Sequence, residues 1–279
     1  MNSSNISFVD NKIGCDVMKV CLLTSGSIGN VVVIEDEEES ILIDCGITFK
    51  KFDELISQTD LKVNKIKNIL VTHEHSDHIK GVGVISRKLE LQMWLTEKTA
   101  DVIYEKGILK DSDSRVNYVE KYKEYEIAGF NIIPFPLSHD ANDPVGYVIK
   151  KGEKKVVWLT DTGYVSKEVM EIVKGATLYI MEMNHNIEML QMCDRPWHLK
   201  QRILGDYGHL SNEDGAYIFS KIMNDCTRHV FLSHISQDAN LPDLALMTMK
   251  DVLKECKIDI SKLNIHMTYP MSPSRVVEI

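Results

Sequence analysis

The chain has 279 residues, 44% of them hydrophobic and 26% charged, which is the make-up of a globular protein large enough for one big domain. A net charge of −9 argues against bulk attraction to nucleic acid, although a locally basic surface remains compatible with it. No apolar run approaches a bilayer span, six scattered cysteines form no C-x-x-C pair, and the start lacks the basic head and apolar core of a secretory signal, so the expected setting is a reducing cytoplasm away from membranes.

In chain order, residues 1–17 are expected to be a polar extension, with Met18 as an alternative start and a single domain over 18–279. Short β-branched runs then predict strands at 19–23, 30–35, 40–45, 67–72, 130–136, 145–150, 155–160, 177–181 and 229–234. Helical patterns fall at 80–90, 96–108, 166–174, 212–224 and 243–256. Strands that first meander and then alternate with helices predict two packed sheets with helices outside. Strand direction places the glycine-rich turn "SGSIGN" (25–30) at the end where Asp44 lies, where Ser25, Ser27 and Asn30 offer hydrogen bonds to a ligand. The acidic tip 35–40 is directed to the other end.

Six polar residues follow or close these apolar runs: Asp44, His73, His139, Asp161, Glu182 and His234. A packed fold gathers strand ends along one edge, so that edge is the candidate active site. The stretch "HEHSDH" is not the helical zinc motif H-E-x-x-H, because Asp77 stands four after His73. On an extended loop His73 and His75 point the same way, while Asp77 and His78 begin a helix and face a second point nearby. That spacing suits two divalent cations. His139 completes one set with His73 and His75, and His234 the other with Asp77 and His78, leaving Asp161 to bridge. Zinc is favoured by this donor set, and manganese or iron fits it too.

Further along, Ser211 and Asp214 read as a capping box opening a helix, and His209 stands just before it. The stretch "RPWHLKQR" (195–202) carries Arg195, Lys200 and Arg202 without a carboxylate. Lys200 and Arg202 are expected to touch a nucleic-acid backbone, against the plainer reading of a solvated face.

These motifs resemble the metallo-β-lactamase superfamily, and "SGSIGN", "THEHSDHIKGV", "SHDANDPVGY", "EMNHNIEML", "GHLSNEDGA" and "LSHISQDANLP" resemble its YycJ/WalJ (VicX) subfamily. The resemblance implies an αββα four-layer sandwich with a dinuclear metal edge, on which Asp44 orients ligand groups. It further implies a 5′-to-3′ exonuclease on double-stranded DNA and a functional link to a WalK/WalR-type cell-wall signalling system. Asn186 departs from the Asp expected after His185, and His185 is carried as a substrate-binding candidate along with His209 and Ser211. A bridging hydroxide is expected to attack phosphorus, with Asp77, His209 and Glu182 as the residues expected to act in catalysis; His209 would protonate the leaving oxygen while Glu182 orients it. The rival readings are a small-molecule or cyclic phosphodiesterase and a metal-binding signalling accessory.

Overall fold

A computed structural model describes residues 17–110 and 113–279. The expectation of a polar N-terminal extension concerns residues that lie, but for Val17, outside this range.

The first sheet contains β1 (Lys19–Thr24), β2 (Val31–Glu35), β3 (Ser40–Ile43), β4 (Ile66–Leu70), β5 (Gln92–Leu95) and β6 (Val116–Tyr118). The second contains β7 (Tyr125–Ile127), β8 (Phe130–Pro136), β9 (Val145–Lys151), β10 (Lys154–Leu159), β11 (Leu178–Glu182), β12 (His229–Ser233) and β13 (Asn264–Met267). β14 (Val277–Glu278) returns to the first sheet and pairs with β1. The orders are β14-β1-β2-β3-β4-β5-β6 and β13-β12-β11-β10-β9-β8-β7. Each sheet begins as an antiparallel meander and becomes parallel, over β3–β6 in one and β10–β13 in the other.

This switch to parallel pairing positions the site. Parallel strands release their chains at the same edge, so the residues after β3, β4, β10, β11 and β12 are brought together.

The sheets face each other through an apolar layer that includes Leu22, Ile34, Tyr147, Trp158 and Phe231, all essentially inaccessible to water. Tyr147 satisfies its hydroxyl by donating to the Val71 carbonyl across the layer, at 2.8 Å. The outer face of the first sheet is covered by α1 (Phe49–Ile56), α2 (Ser76–Ile79), α3 (Val82–Lys88) and α4 (Glu97–Glu105). On the second sheet lie α5 (Lys167–Val173), α8 (Asn212–Ile222) and α9 (Pro242–Glu255), while the short α6 (Ile187–Met192) and α7 (Trp197–Leu204) share a small cluster with Ala239. The result is the expected four-layer αββα sandwich. Helix–strand boundaries follow the local chemistry. Thr48, Thr96, Ser166 and Ser211 each cap a helix by accepting a backbone N–H, as such residues do.

The strands and helices anticipated from periodicity are all present, the pattern expected over 80–90 appearing as α3, which begins just after Gly81. Five further strands (β5, β6, β7, β13, β14) and three further helices (α1, α6, α7) gave no such signal, while α2 is the helix expected to begin at Asp77 and His78. No helix among the described residues is long and apolar enough to cross a membrane.

Candidate active site

After β4 the chain stays extended to His75, whose backbone (φ −68°, ψ 148°) caps α2. His73 and His75 therefore project to one side, and His73 Nε2 comes 3.1 Å from His75 Nδ1. His139, just past β8, brings its Nε2 to 3.2 Å from the same nitrogen. The first turn of α2 aims Asp77 and His78 at a second point, which His234 reaches from the end of β12. There His78 Nε2 and His234 Nε2 lie 3.5 and 3.7 Å from Asp77 Oδ2. Gly46 makes room for this loop, since a Cβ there would meet the Asp77 carbonyl at 1.6 Å.

Asp161 stands between the two sets. Its Oδ2 is 3.4 Å from His78 Nε2 and its Oδ1 is 3.3 Å from His234 Nε2, and with His73 and His78 it forms another convergent trio. Tetrahedral ligation at bonds of about 2.0–2.1 Å puts donor atoms roughly 3.3 Å apart, which is the spacing found here.

The far side of each ring decides which nitrogen is offered. His78 Nδ1 donates to Asp44 Oδ2 at 2.7 Å, and Asp44 is itself fixed by the Thr72 backbone N–H and hydroxyl. His139 Nδ1 donates to the Gly208 carbonyl at 3.1 Å. Both bonds leave Nε2 as the lone pair facing inward. His234 Nε2 is a buried nitrogen with no hydrogen-bond partner, facing two carboxylates. An orphaned nitrogen of this kind is costly unless a cation completes it. The donor set thus fits divalent metal binding.

Charge points the same way. Burial opposes protonation of His234, yet Asp161, Asp77 and Glu182 prevail and push it up to about 10. The same contest, led by burial but won by Asp161, Asp77 and Asp44, raises His78 well above the usual imidazole range. His73 and His139 go the other way, held down by burial and by neighbouring imidazoles. The carboxylates draw positive charge into the cluster, and a divalent cation supplies it without a proton. Asp44, Asp161 and His234 also take left-handed backbones, with φ of 56°, 59° and 54°. Such strain at non-glycine residues is held by the surrounding fold and gathers at functional sites.

Beside the metal-ligand set, His209 Nδ1 lies 2.7 Å from Glu182 Oε1. Burial would raise the Glu182 carboxyl, but His209 and His234 hold it down at about 2, so it is a permanent acceptor. The His209 ring stacks on His234 at 5.2 Å and remains partly open to a cleft of about 100 Å³. Ser27, Arg195, Arg202 and Ser236 also line this cleft.

Other residues marked in the sequence have structural partners instead of a free surface. Ser25 is buried and its Oγ accepts the His234 backbone N–H at 2.8 Å. Asn30 is buried, with its amide against His78 Nε2 and the Gly26 carbonyl. Ser211 is buried as the cap of α8, and His185 lies buried next to it, where burial depresses the imidazole to about 4. Lys200 departs furthest from expectation: it is only 8% exposed and its amine donates to the Gln191 carbonyl at 2.7 Å, so it is withheld from any backbone contact. Arg202 is half exposed and bonded to Asp140. Sequence reasoning missed Thr72 and Asn184, the latter donating to the His234 carbonyl at 2.9 Å and lying 3.1 Å from its Nδ1. Neither carries a sequence signal beyond its adjacency to a strand end.

The Beta-lactamase superfamily domain matches residues 39–235. Among solved structures, the fold is similar to the metallo-β-lactamase fold protein YhfI from Bacillus subtilis (TM-score 0.72, 16% identity, 95% of this chain and 100% of that one). It is also similar to unliganded yeast PDE1 (TM-score 0.68, 14% identity, 93% and 99%). Fold and site together define a hydrolase of the metallo-β-lactamase type. The sequence is 37% identical to Exodeoxyribonuclease YycJ of Bacillus anthracis over 260 residues, covering 91% of this chain and 97% of that protein. To Exodeoxyribonuclease WalJ of Streptococcus pneumoniae serotype 2 it is 38% identical over 263 residues, covering 94% and 98%. The chain belongs to the metallo-β-lactamase superfamily, in the same family as YycJ and WalJ.

Proposed function

We propose that the protein is a two-metal phosphodiesterase that degrades double-stranded DNA from the 5′ end. The observation that carries the reading is the Asp161 carboxylate, its oxygens spaced from His78 and His234 as two ligands of one cation are, and convergent also with His73. His73, His75 and His139 would hold one cation and Asp77, His78 and His234 the other, with Asp161 shared. Two such cations, when bound, supply a nucleophile at neutral pH and polarise the phosphoryl oxygens. Zinc suits the imidazole-rich set, and manganese or iron is compatible with it. The exodeoxyribonuclease activity for which YycJ and WalJ are named supports DNA as the substrate.

The chain's own residues provide the rest. A departing 3′-oxygen is a poor leaving group at neutral pH, and His209 is placed to give it a proton. Glu182 accepts a hydrogen bond from the Nδ1–H of that ring, which fixes its tautomer and leaves the other nitrogen for the substrate. Asp44 and the Gly208 carbonyl hold His78 and His139 in orientation throughout. Incubation of the metal-loaded protein with 5′-phosphorylated duplex, single-stranded DNA, RNA and cyclic phosphodiesters tests the reading. Progressive shortening of the duplex from its 5′ end is expected. Turnover of the cyclic diesters alone would instead establish a small-molecule phosphodiesterase.

A further inference from the structure

The cleft beside His209 carries two arginines that the chemistry above leaves unused. Arg195 rests on Asp238, with Nε and Nη2 at 3.2 and 2.8 Å from Oδ2, and Arg202 rests on Asp140 through Nε. Each carboxylate fixes one edge of a planar guanidinium with five N–H donors, so Nη1 of Arg195 and both Nη groups of Arg202 remain without a protein acceptor among the described residues. Ser27 and Ser236 add hydroxyls to the same wall. The bound carboxylates offset the net charge of the arginines, so what the wall offers is directed N–H and O–H groups. The cleft, at about 100 Å³, is small beside ordinary ligand pockets of roughly 300–1,000 Å³, and suits a phosphate better than a sugar and base.

Geometry then selects which phosphate. His209 faces the leaving 3′-oxygen, so the departing nucleotide lies on the His209 side of the bond being cut. In degradation from the 5′ end, that nucleotide carries the terminus of the strand. The cleft beyond His209, on that side of the bond, is the one that Arg195 and Arg202 line.

We propose that Arg195 and Arg202, with Ser27 and Ser236, form a subsite for the 5′-terminal phosphate of duplex DNA, and that the protein selects 5′-phosphorylated ends through it. The proposal rests on the nuclease reading. A terminal phosphate presents three non-bridging oxygens and a second negative charge, which a guanidinium fork distinguishes from a hydroxyl.

The test compares one duplex bearing a 5′-phosphate with the same duplex bearing a 5′-hydroxyl, in two measurements. Equilibrium binding in a chelator gives a ratio of affinities without cleavage, and initial rates with metal give a ratio of kcat/KM with the site carboxylates neutralised. A preference of about tenfold or more for the phosphate is expected, on the scale of one charge-assisted hydrogen bond. Arg195→Gln and Arg202→Gln should each shrink that ratio toward one, with melting temperatures showing that both variants fold. Arg195→Lys should restore less than the wild-type ratio, since an amine lacks the fork. A wild-type ratio of one in both measurements, with the duplex still degraded, would overturn the subsite and leave the nuclease reading in place. A binding ratio that both glutamine variants preserve would overturn it equally. Failure to degrade either duplex would count against the nuclease reading itself, and the subsite would fall with it.

Discussion

Strand β12 carries a histidine at each end, and the two have different fates. His234, just past its C-terminal end, is surrounded by Asp77, Asp161 and Glu182, with one nitrogen held against Asn184 and Glu182 and the other left orphaned. His229, at the start, is half-buried and shares a 3.0 Å hydrogen bond with His266 of β13, the two rings stacked 18° from parallel. Asp60 and Glu278 line the cavity at that end, but Lys19 already pairs with both. Among the described residues the His229–His266 pair joins no group of three convergent donors. The contrast teaches that imidazoles alone do not make a metal centre. Carboxylates between the rings do, with acceptors fixed behind His78 and His139.

The sharpest way to break this comparison is to remove one donor at each end. Asp161→Ala and His75→Ala are expected to abolish phosphodiester hydrolysis and lower bound metal, because each takes away a ligand atom. His229→Ala and His266→Ala should keep both properties, as read by elemental analysis and a turnover assay. Equal damage from both pairs would erase the distinction.

Next in size, His209→Ala should slow cleavage of an ordinary phosphodiester by about 10²–10⁴-fold, the usual worth of a positioned proton donor. On an ester with an activated phenolate leaving group the loss should be small, and metal content should not change. An equal loss on both substrates would assign His209 to binding.

A smaller effect isolates the group behind the ring. Asp44→Asn leaves the metal-facing atoms in place but weakens the acceptor for His78 Nδ1, so metal affinity should drop by about 10–100-fold in a chelator competition. Unchanged affinity would show that orientation by Asp44 is dispensable.

The smallest effect belongs to the other end. Burial, helped by His229 and Arg275, lowers His266 to about 4 from its ordinary 6.5. The unfolded chain therefore binds a proton that the folded one refuses, and this group's contribution to stability is lost as pH falls from about 6.5 toward 4. His266→Asn should flatten that part of a denaturation profile, and an identical slope in both proteins would contradict the assignment.

Much of the site was legible because its chemistry is local. Asp44, Asp161 and His234 follow directly on apolar strands, and H-x-H-x-D-H contains its own geometry, extended for two histidines and helical for the next pair. The pairing of Glu182 with His209 was expected from the family resemblance instead of from local pattern, and the two side chains do meet. Burial was not legible, because it depends on distant chain. Ser25 looks like a ligand-facing turn residue until His234, 209 positions away, claims its hydroxyl. Lys200 looks like a surface cation until Gln191 and the packing of α7 enclose its amine. Among the strands, β5 escaped notice because "QMWL" alternates too briefly to register, and β6, β7 and β14 are two or three residues long. They exist because neighbouring strands supply their hydrogen bonds.

The central claim is that two donor sets share Asp161, and counting bound ions tests it most directly. Purified protein, stripped with a chelator, reloaded with zinc or manganese and desalted, should retain two divalent ions per chain. Asp161→Ala should retain fewer under identical treatment. A wild-type chain that holds one ion or none at saturation, or an Asp161→Ala variant that still holds two, would contradict the shared-carboxylate centre.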